Sequence, residues 1–155
     1  MTKERLWHHG EDYVGERLDV ATVSPDPFEQ FRAWFQDAEE AGLAKVNAMT
    51  LATADAAGRP SARLVLLKEL DARGFVFFTN YGSRKGEQLG ANPWAALVFY
   101  WDRFDRQVRV EGKVERVADE DSDAYFAARP RGARIGAIAS PQSRPPADRA
   151  ELEAR

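Results

Sequence analysis

Two neighbouring runs decide the fold: Ala95-Ala96-Leu97-Val98-Phe99-Tyr100-Trp101 and, beyond a short polar break, Gln107-Val108-Arg109-Val110-Glu111-Gly112-Lys113-Val114-Glu115-Arg116-Val117. In the second, Val108, Val110, Gly112 and Val114 alternate with Gln107, Arg109, Glu111, Lys113 and Glu115. A period of two predicts a strand with one buried and one polar face. The first run is apolar on both faces, which fits a barrel wall packed inside on a core and outside on a helix or a second subunit. Working outward, further strand-like runs occupy residues 48–54, 62–70 and 74–80. Asp55-Ala56-Ala57-Gly58 and Asp71-Ala72-Arg73-Gly74 are short enough for hairpins, so consecutive strands are expected to be antiparallel neighbours.

Helical spacing of Phe28, Phe31, Trp34, Phe35, Ala38 and Ala41 predicts an amphipathic helix from Pro27 to about Leu43, with Asp26 as N-cap and Gly42 as terminator. Its aromatic stripe is expected to pack on the core. Further helices are expected over residues 83–91 and 119–128, around 133–139 and beyond Ala147. The sum is an α+β fold, a small, mainly antiparallel β-barrel with flanking helices. Residues 1–26 form an N-terminal arm and residues 27–155 the domain.

With 155 residues, of which 44% are hydrophobic, the chain is long enough for one domain that buries roughly 70% of its unfolded surface. Lys and Arg number 22 against 25 Asp and Glu, and the net charge of -3 gives no general reason to expect nucleic acid or an anionic membrane as partner. Charge is nevertheless uneven. From Ala124 to Ala147 there is no acidic residue, while Arg129, Arg131, Arg134 and Arg144 lie within that window, an excess that suits either a small anion or a solvated basic edge. The absence of cysteine excludes disulfides, thiolate metal sites and a cysteine nucleophile. His8 and His9 are the only histidines, so no metal site is expected. The N-terminus lacks the apolar core of a secretory signal, and no window has the length of a membrane span, so a cytoplasmic protein is expected.

The stretch from Phe75 to Leu89 reads as a strand, a tight turn with Gly82, and a helix start with Ser83 as N-cap. Arg84 and Lys85 then fall in the first helical turn, where free N–H groups and the helix dipole disfavour cations by a few tenths to about 1 kcal/mol each. A bound anion reverses that sign, because N–H groups, dipole and both side chains converge on it. The alternative is that both side chains point to solvent or pair with distant carboxylates. Arg63 and Lys68 form a second basic cluster that strand parity, absent a bulge, places on opposite faces, so two anionic groups are implied. Tyr125 and Arg129 are four apart and so on one helix face, where a phenol beside a guanidinium suits the second anion. A tyrosine packed on an arginine stem is the alternative there.

Six runs, RLVLLK (63–68), FFTNYGSRK (77–85), NPWAALVFYW (92–101), RQVRVEGKVERV (106–117), SDAYFAARPRGARIGA (122–137) and SPQS (140–143), together resemble the pyridoxamine/pyridoxine phosphate oxidases, in order over nearly the whole chain. The resemblance implies a split barrel, a homodimer with flavin mononucleotide (FMN) at the subunit interface, and oxidation of pyridoxamine or pyridoxine 5'-phosphate to pyridoxal 5'-phosphate with molecular oxygen as acceptor. By position, Arg63, Ser83, Arg84 and Lys85 would hold the flavin phosphate. Leu64, Val65, Leu66, Lys68, Phe78 and Thr79 would line the cofactor, and Gln107, Gln142 and Ser143 would hydrogen-bond it. Lys68, Tyr125 and Arg129 would bind the substrate phosphate. The flavin carries the redox chemistry, and no general base stands out.

Two departures are visible. Ala133 stands where the family usually has a serine at the substrate phosphate, a loss of about 1.5 to 3 kcal/mol unless Arg131 or Arg134 compensates. The sequence also ends at Arg155, in what reads as the start of a helix, whereas the family continues with strands bearing a tryptophan-glycine segment and an arginine-histidine-arginine motif. A fragment of a longer protein is expected rather than a shortened member, because lost strands would expose sheet edges and core. Under the shortened reading, the alternative function is a flavin- or pyridoxal phosphate-binding module without oxidase turnover, or a related flavin reductase.

Overall fold

In the computed structural model, which describes residues 18–140, 142–145 and 148–153, helix α1 (Pro27–Glu40) begins as the sequence predicts. The Asp26 carboxylate accepts from the Phe28 N–H at 2.8 Å, and Pro27 occupies the first turn, where its missing N–H costs nothing. The helix stops at Glu40, short of Leu43. Gly42, at φ 70°, turns the chain left-handed so that its N–H reaches the Glu39 carbonyl and the Leu43 N–H reaches that of Ala38, closing the helix end. Phe31 and Ala38 are buried, with Trp34 and Phe35 packed beside them.

Strands β1 (Ala48–Ala54), β2 (Pro60–Leu66), β5 (Trp94–Trp101) and β6 (Arg106–Lys113) form a four-stranded antiparallel sheet in the order β2-β1-β5-β6. Strands β3 (Glu69–Asp71) and β4 (Gly74–Val76) form a separate antiparallel pair. The fold is thus an α+β split barrel. Both predicted hairpins are present: Ala54 pairs with Pro60 around the Asp55 turn, and Asp71 pairs with Gly74 around Ala72 and Arg73. Phe31 joins the two sheets, with its ring centroid 4.9 Å from Phe75 of β4 and 4.9 Å from Phe99 of β5. The core of Phe31, Met49, Leu51, Leu67, Leu97, Phe99 and Trp101 lies between α1 and the inner sheet faces.

Three strands are shorter than expected, each because of what its backbone meets across the sheet. The run 62–70 is not one strand. The Leu67 N–H still bonds the Asn47 carbonyl, but the next N–H, of Lys68, bonds the Val76 carbonyl, so the chain passes from one sheet to the other at a single peptide step. Past Val76 the predicted strand 74–80 finds no ladder partner among the described residues. In the run 107–117 the ladder ends because the Val114 N–H bonds the carbonyl of Pro93, a residue with no N–H to return. The alternation in β6 is as predicted, with Val108, Val110 and Gly112 half-buried and Gln107, Arg109, Glu111 and Lys113 exposed.

Of the two covers expected for the outward face of the large sheet, a helix or a second subunit, no helix of the described residues supplies the first. Leu64, Leu66, Trp94 and Tyr100 are exposed on the described chain, Leu64 at 72%. Helix α2 (Arg84–Ala91) sits at one end of the sheet, touching β1, and is followed beyond β6 by α3 (Asp119–Ala128), α4 (Arg131–Ala139) and the short α5 (Arg149–Glu153). No helix among the described residues is long and apolar enough to cross a membrane.

Candidate functional site

The turn before α2 is built by short-range bonds that the sequence dictates. The Asn80 side chain accepts from the Gly82 N–H at 2.8 Å, and its backbone carbonyl accepts from the Ser83 hydroxyl at 2.6 Å. Ser83 is fully buried and caps α2, its Oγ accepting from the Gly86 N–H at 3.4 Å and from Lys85 Nζ at 3.0 Å. Gly86 is required here, because a Cβ at that position would lie 2.3 Å from the Tyr81 carbonyl oxygen. The helix start is therefore seated directly on backbone.

Around this turn the structure gathers most of the predicted anion site. The Arg84 N–H donates to the Ser143 hydroxyl at 3.1 Å, and Lys85 Nζ donates to Gln142 Oε1 at 2.7 Å, so the distant residues 142 and 143 dock on the turn. Pro141 lies outside the described residues. Arg63 reaches in from β2, its NH1 donating to the Leu51 carbonyl at 3.0 Å and to Thr53 Oγ1 at 2.7 Å, and its NH2 to Ser61 Oγ at 2.6 Å. Burial and then the neighbouring Arg84 hold the Arg63 guanidinium below the usual arginine range. Burial and then Arg63 likewise depress Lys85. Among the described residues no carboxylate contributes to either shift. The nearby Glu87 is taken by Arg144, at 3.1 Å. Three cations thus crowd one spot, which favours an anion by Coulomb attraction.

A cleft of about 1010 Å³ opens beside the turn, lined among others by Phe78, Thr79, Gly86, Tyr125, Arg129 and Gln142. Thr79 Oγ1 is buried in this region with no hydrogen-bond partner. Phe78 and Tyr125 stack at 4.0 Å and 6°, and Lys68 Nζ lies 5.5 Å from the Tyr125 ring centroid. Arg129 is not on the helix with Tyr125, correcting the one-face expectation. It caps α3 in extended conformation, ψ 146°, because Pro130 follows and disfavours helical geometry before it, yet it reaches the same cleft. Ala133 is exposed on α4, and Arg134 Nε is buried without a partner.

Two groups of predicted residues are not brought together in one chain. Arg63 and Val65 face inward from β2, whereas Leu64, Leu66 and Gln107 lie on the outward face. Arg63 and Lys68 do serve different neighbours, but through the sheet-to-sheet step at Leu67 rather than through strand parity. Sequence reasoning missed Thr53, Ser61 and Gln88, which hold Arg63. The available signals were Ser61, two residues before Arg63 on the same strand face, and Gln88, a polar residue one turn after Arg84.

Fold and site define a split-barrel protein with three cations gathered at a helix start. Residues 35–155 match the family described as Pyridoxamine 5'-phosphate oxidase. The chain is 60% identical over 144 residues to pyridoxine/pyridoxamine 5'-phosphate oxidase 1 of Ralstonia nicotianae, covering 93% of this chain and 68% of that protein. It is 61% identical over 138 residues to the pyridoxine/pyridoxamine 5'-phosphate oxidase of Paraburkholderia phymatum, covering 89% and 65%. Among solved structures it is similar to PhzG of Burkholderia lata in complex with tetrahydrophenazine-1-carboxylic acid, with TM-score 0.85, 28% identity and 90% and 70% of the two chains covered. A pyridoxamine 5'-phosphate oxidase-related, FMN-binding protein of Nostoc punctiforme shares the fold, with TM-score 0.64, 21% identity and 84% and 73% covered. The chain belongs to the pyridoxamine 5'-phosphate oxidase family and spans about two thirds of the length of these curated relatives.

Proposed function

We propose that this chain binds FMN, its phosphate seated on Arg63, Arg84 and Lys85, with Ser83, whose hydroxyl and N–H both donate to the Asn80 carbonyl, shaping the helix start rather than touching the phosphate, and that it serves as an oxidoreductase converting pyridoxamine or pyridoxine 5'-phosphate to pyridoxal 5'-phosphate with molecular oxygen as acceptor. The carrying observation is the convergence of Arg63, Arg84 and Lys85, where among the described residues the neighbours acting on Arg63 and Lys85 are cations and not carboxylates. A phosphate dianion at that helix start would accept from the turn and relieve the mutual repulsion of the cations. The unpartnered Thr79 hydroxyl fits the same group, offering a polar contact beside the cleft.

When bound, the flavin supplies the redox chemistry by accepting hydride from the substrate carbon that bears the amine or hydroxyl. The side chains orient and bind. Gln142 and Ser143, already bonded to the turn, close over the cofactor end, while Tyr125 and Arg129 at the cleft, with Lys68 reaching over the Tyr125 ring from beside it, hold the substrate phosphate. Leu64, Leu66 and Gln107, which face outward, would contribute across a homodimer interface covering the exposed Leu64, Trp94 and Tyr100.

The test is to titrate the protein with FMN, then add pyridoxamine 5'-phosphate to the loaded protein and measure hydrogen peroxide. A colourless protein that ignores FMN sinks the proposal. One observation favours a second reading: PhzG shares the fold and was solved with an aromatic carboxylate rather than a phosphate ester. FMN uptake without peroxide release would support that reading, a flavin-binding module or related reductase.

A further inference from the structure

Gln88 is a buried amide on α2, 5% exposed, at the junction of α2 with β1 and β2. Its Oε1 accepts from the Thr53 hydroxyl at 2.6 Å and from the Ser61 hydroxyl at 2.7 Å, and lies 3.5 Å from Arg63 NH2. Each hydroxyl has one proton to give. With both protons committed to Gln88, the oxygens of Thr53 and Ser61 present lone pairs to Arg63, which donates to them at 2.7 and 2.6 Å. One carbonyl oxygen therefore fixes the direction of two hydroxyls, and they fix both terminal nitrogens of the guanidinium. Because Gln88 lies one turn beyond Arg84, the same bonds tie the helix bearing Arg84 and Lys85 to the strand bearing Arg63.

We propose that Gln88 is a positioning residue for the cofactor phosphate, acting through Thr53 and Ser61 to hold Arg63 in register with Arg84 and Lys85. The proposal rests on the reading that these three cations bind the FMN phosphate. A leucine at 88 would leave both hydroxyls free to rotate and to compete as donors, so Arg63 would lose its aim while retaining its charge.

The experiment uses the full chain, freed of flavin, titrated with FMN and, separately, with riboflavin, which shares the ring but has no phosphate. Arg63→Met is expected to weaken FMN about tenfold or more and to leave riboflavin within about twofold. Gln88→Leu should weaken FMN by about three- to tenfold with riboflavin again unchanged, and in the Arg63→Met background it should add nothing. Ser61→Ala, a milder change, should give a smaller loss of the same phosphate-selective kind, and it decides the matter if Gln88→Leu does not fold. Equal losses of FMN and riboflavin in Gln88→Leu would mark the residue as merely structural and overturn the proposal. So would a Gln88→Leu effect that persists without Arg63, or unchanged FMN affinity in Gln88→Leu or, failing that variant, in Ser61→Ala. If Arg63→Met itself fails to separate FMN from riboflavin, the phosphate-site reading falls, and the positioning role falls with it.

Discussion

The two candidate anion sites differ in how they are made. At the Ser83 turn three side chains are held by hydrogen bonds, Ser83 by Asn80, Lys85 by Ser83 and Gln142, and Arg63 by Thr53, Ser61 and a strand carbonyl, while Arg84 is tied through its backbone N–H to Ser143. At the cleft Tyr125 and Arg129, and beside it Lys68, are held by ring contacts, Tyr125 on Phe78, Lys68 over Tyr125 and Arg129 over Phe126 at 5.8 Å. A bonded site is organised before its ligand arrives and loses little entropy on binding, whereas a site held by stacking adjusts to what enters. That contrast suits a cofactor retained through many turnovers and a substrate exchanged in each.

The contrast is broken most directly by Arg84→Ala with Lys85→Ala. Removing two charge-assisted contacts should weaken FMN by more than about 100-fold and abolish its retention on a desalting column; unchanged retention would dismantle the cofactor assignment. Gly86→Ala comes next. Its Cβ must displace the Tyr81 carbonyl, so a loss of about 1 to 3 kcal/mol in stability, read by thermal denaturation, should accompany weaker FMN binding, and an undisturbed melting curve would show that the close approach is not needed.

On the cleft side, Arg129→Ala should raise the KM for pyridoxamine 5'-phosphate about tenfold while the protein stays yellow, and Tyr125→Phe should do the same to a smaller degree. Flavin loss in either variant would show that the two sites are wrongly divided. The smallest effect concerns pH. Lys85 is depressed by burial and by Arg63, so in the ligand-free protein it gives up its proton below the ordinary lysine range. FMN affinity should therefore fall with rising pH earlier than an ordinary lysine would dictate, and Lys85→Met should flatten that limb in fluorescence titrations. Stability of the ligand-free fold has the opposite sign: the unfolded chain binds the extra proton, so this contribution grows as pH rises through the folded-state value.

Much of the Ser83 turn was legible because it is local. The cap at Ser83, the turn at Gly82 and the helix that follows are decided within a few residues, as are Asp26 and Gly42 at the ends of α1. The failures are tertiary. RLVLLK continues its apolar pattern past Leu66, and nothing within it announces that Leu67 and Lys68 bond to different sheets. The ladder of β6 ends on account of Pro93, about 20 residues away in sequence. Arg129 leaves its helix because of Pro130, a signal present in the sequence that the spacing of four overrode. Gln88 could not be distinguished from a solvated helix residue until β1 and β2 were laid against it.

The peptide step at Leu67 also acts as a ruler. Arg63 stands on one sheet and Lys68 begins the passage to the other, five residues on, so their Cα atoms lie no more than roughly 18 Å apart. With Leu67 buried and the bonds on either side anchored to different strands, that separation cannot drift independently of the barrel. A ligand pair carrying two phosphates would be gauged against this span, and lengthening the corner by one residue would change the gauge without touching either charge.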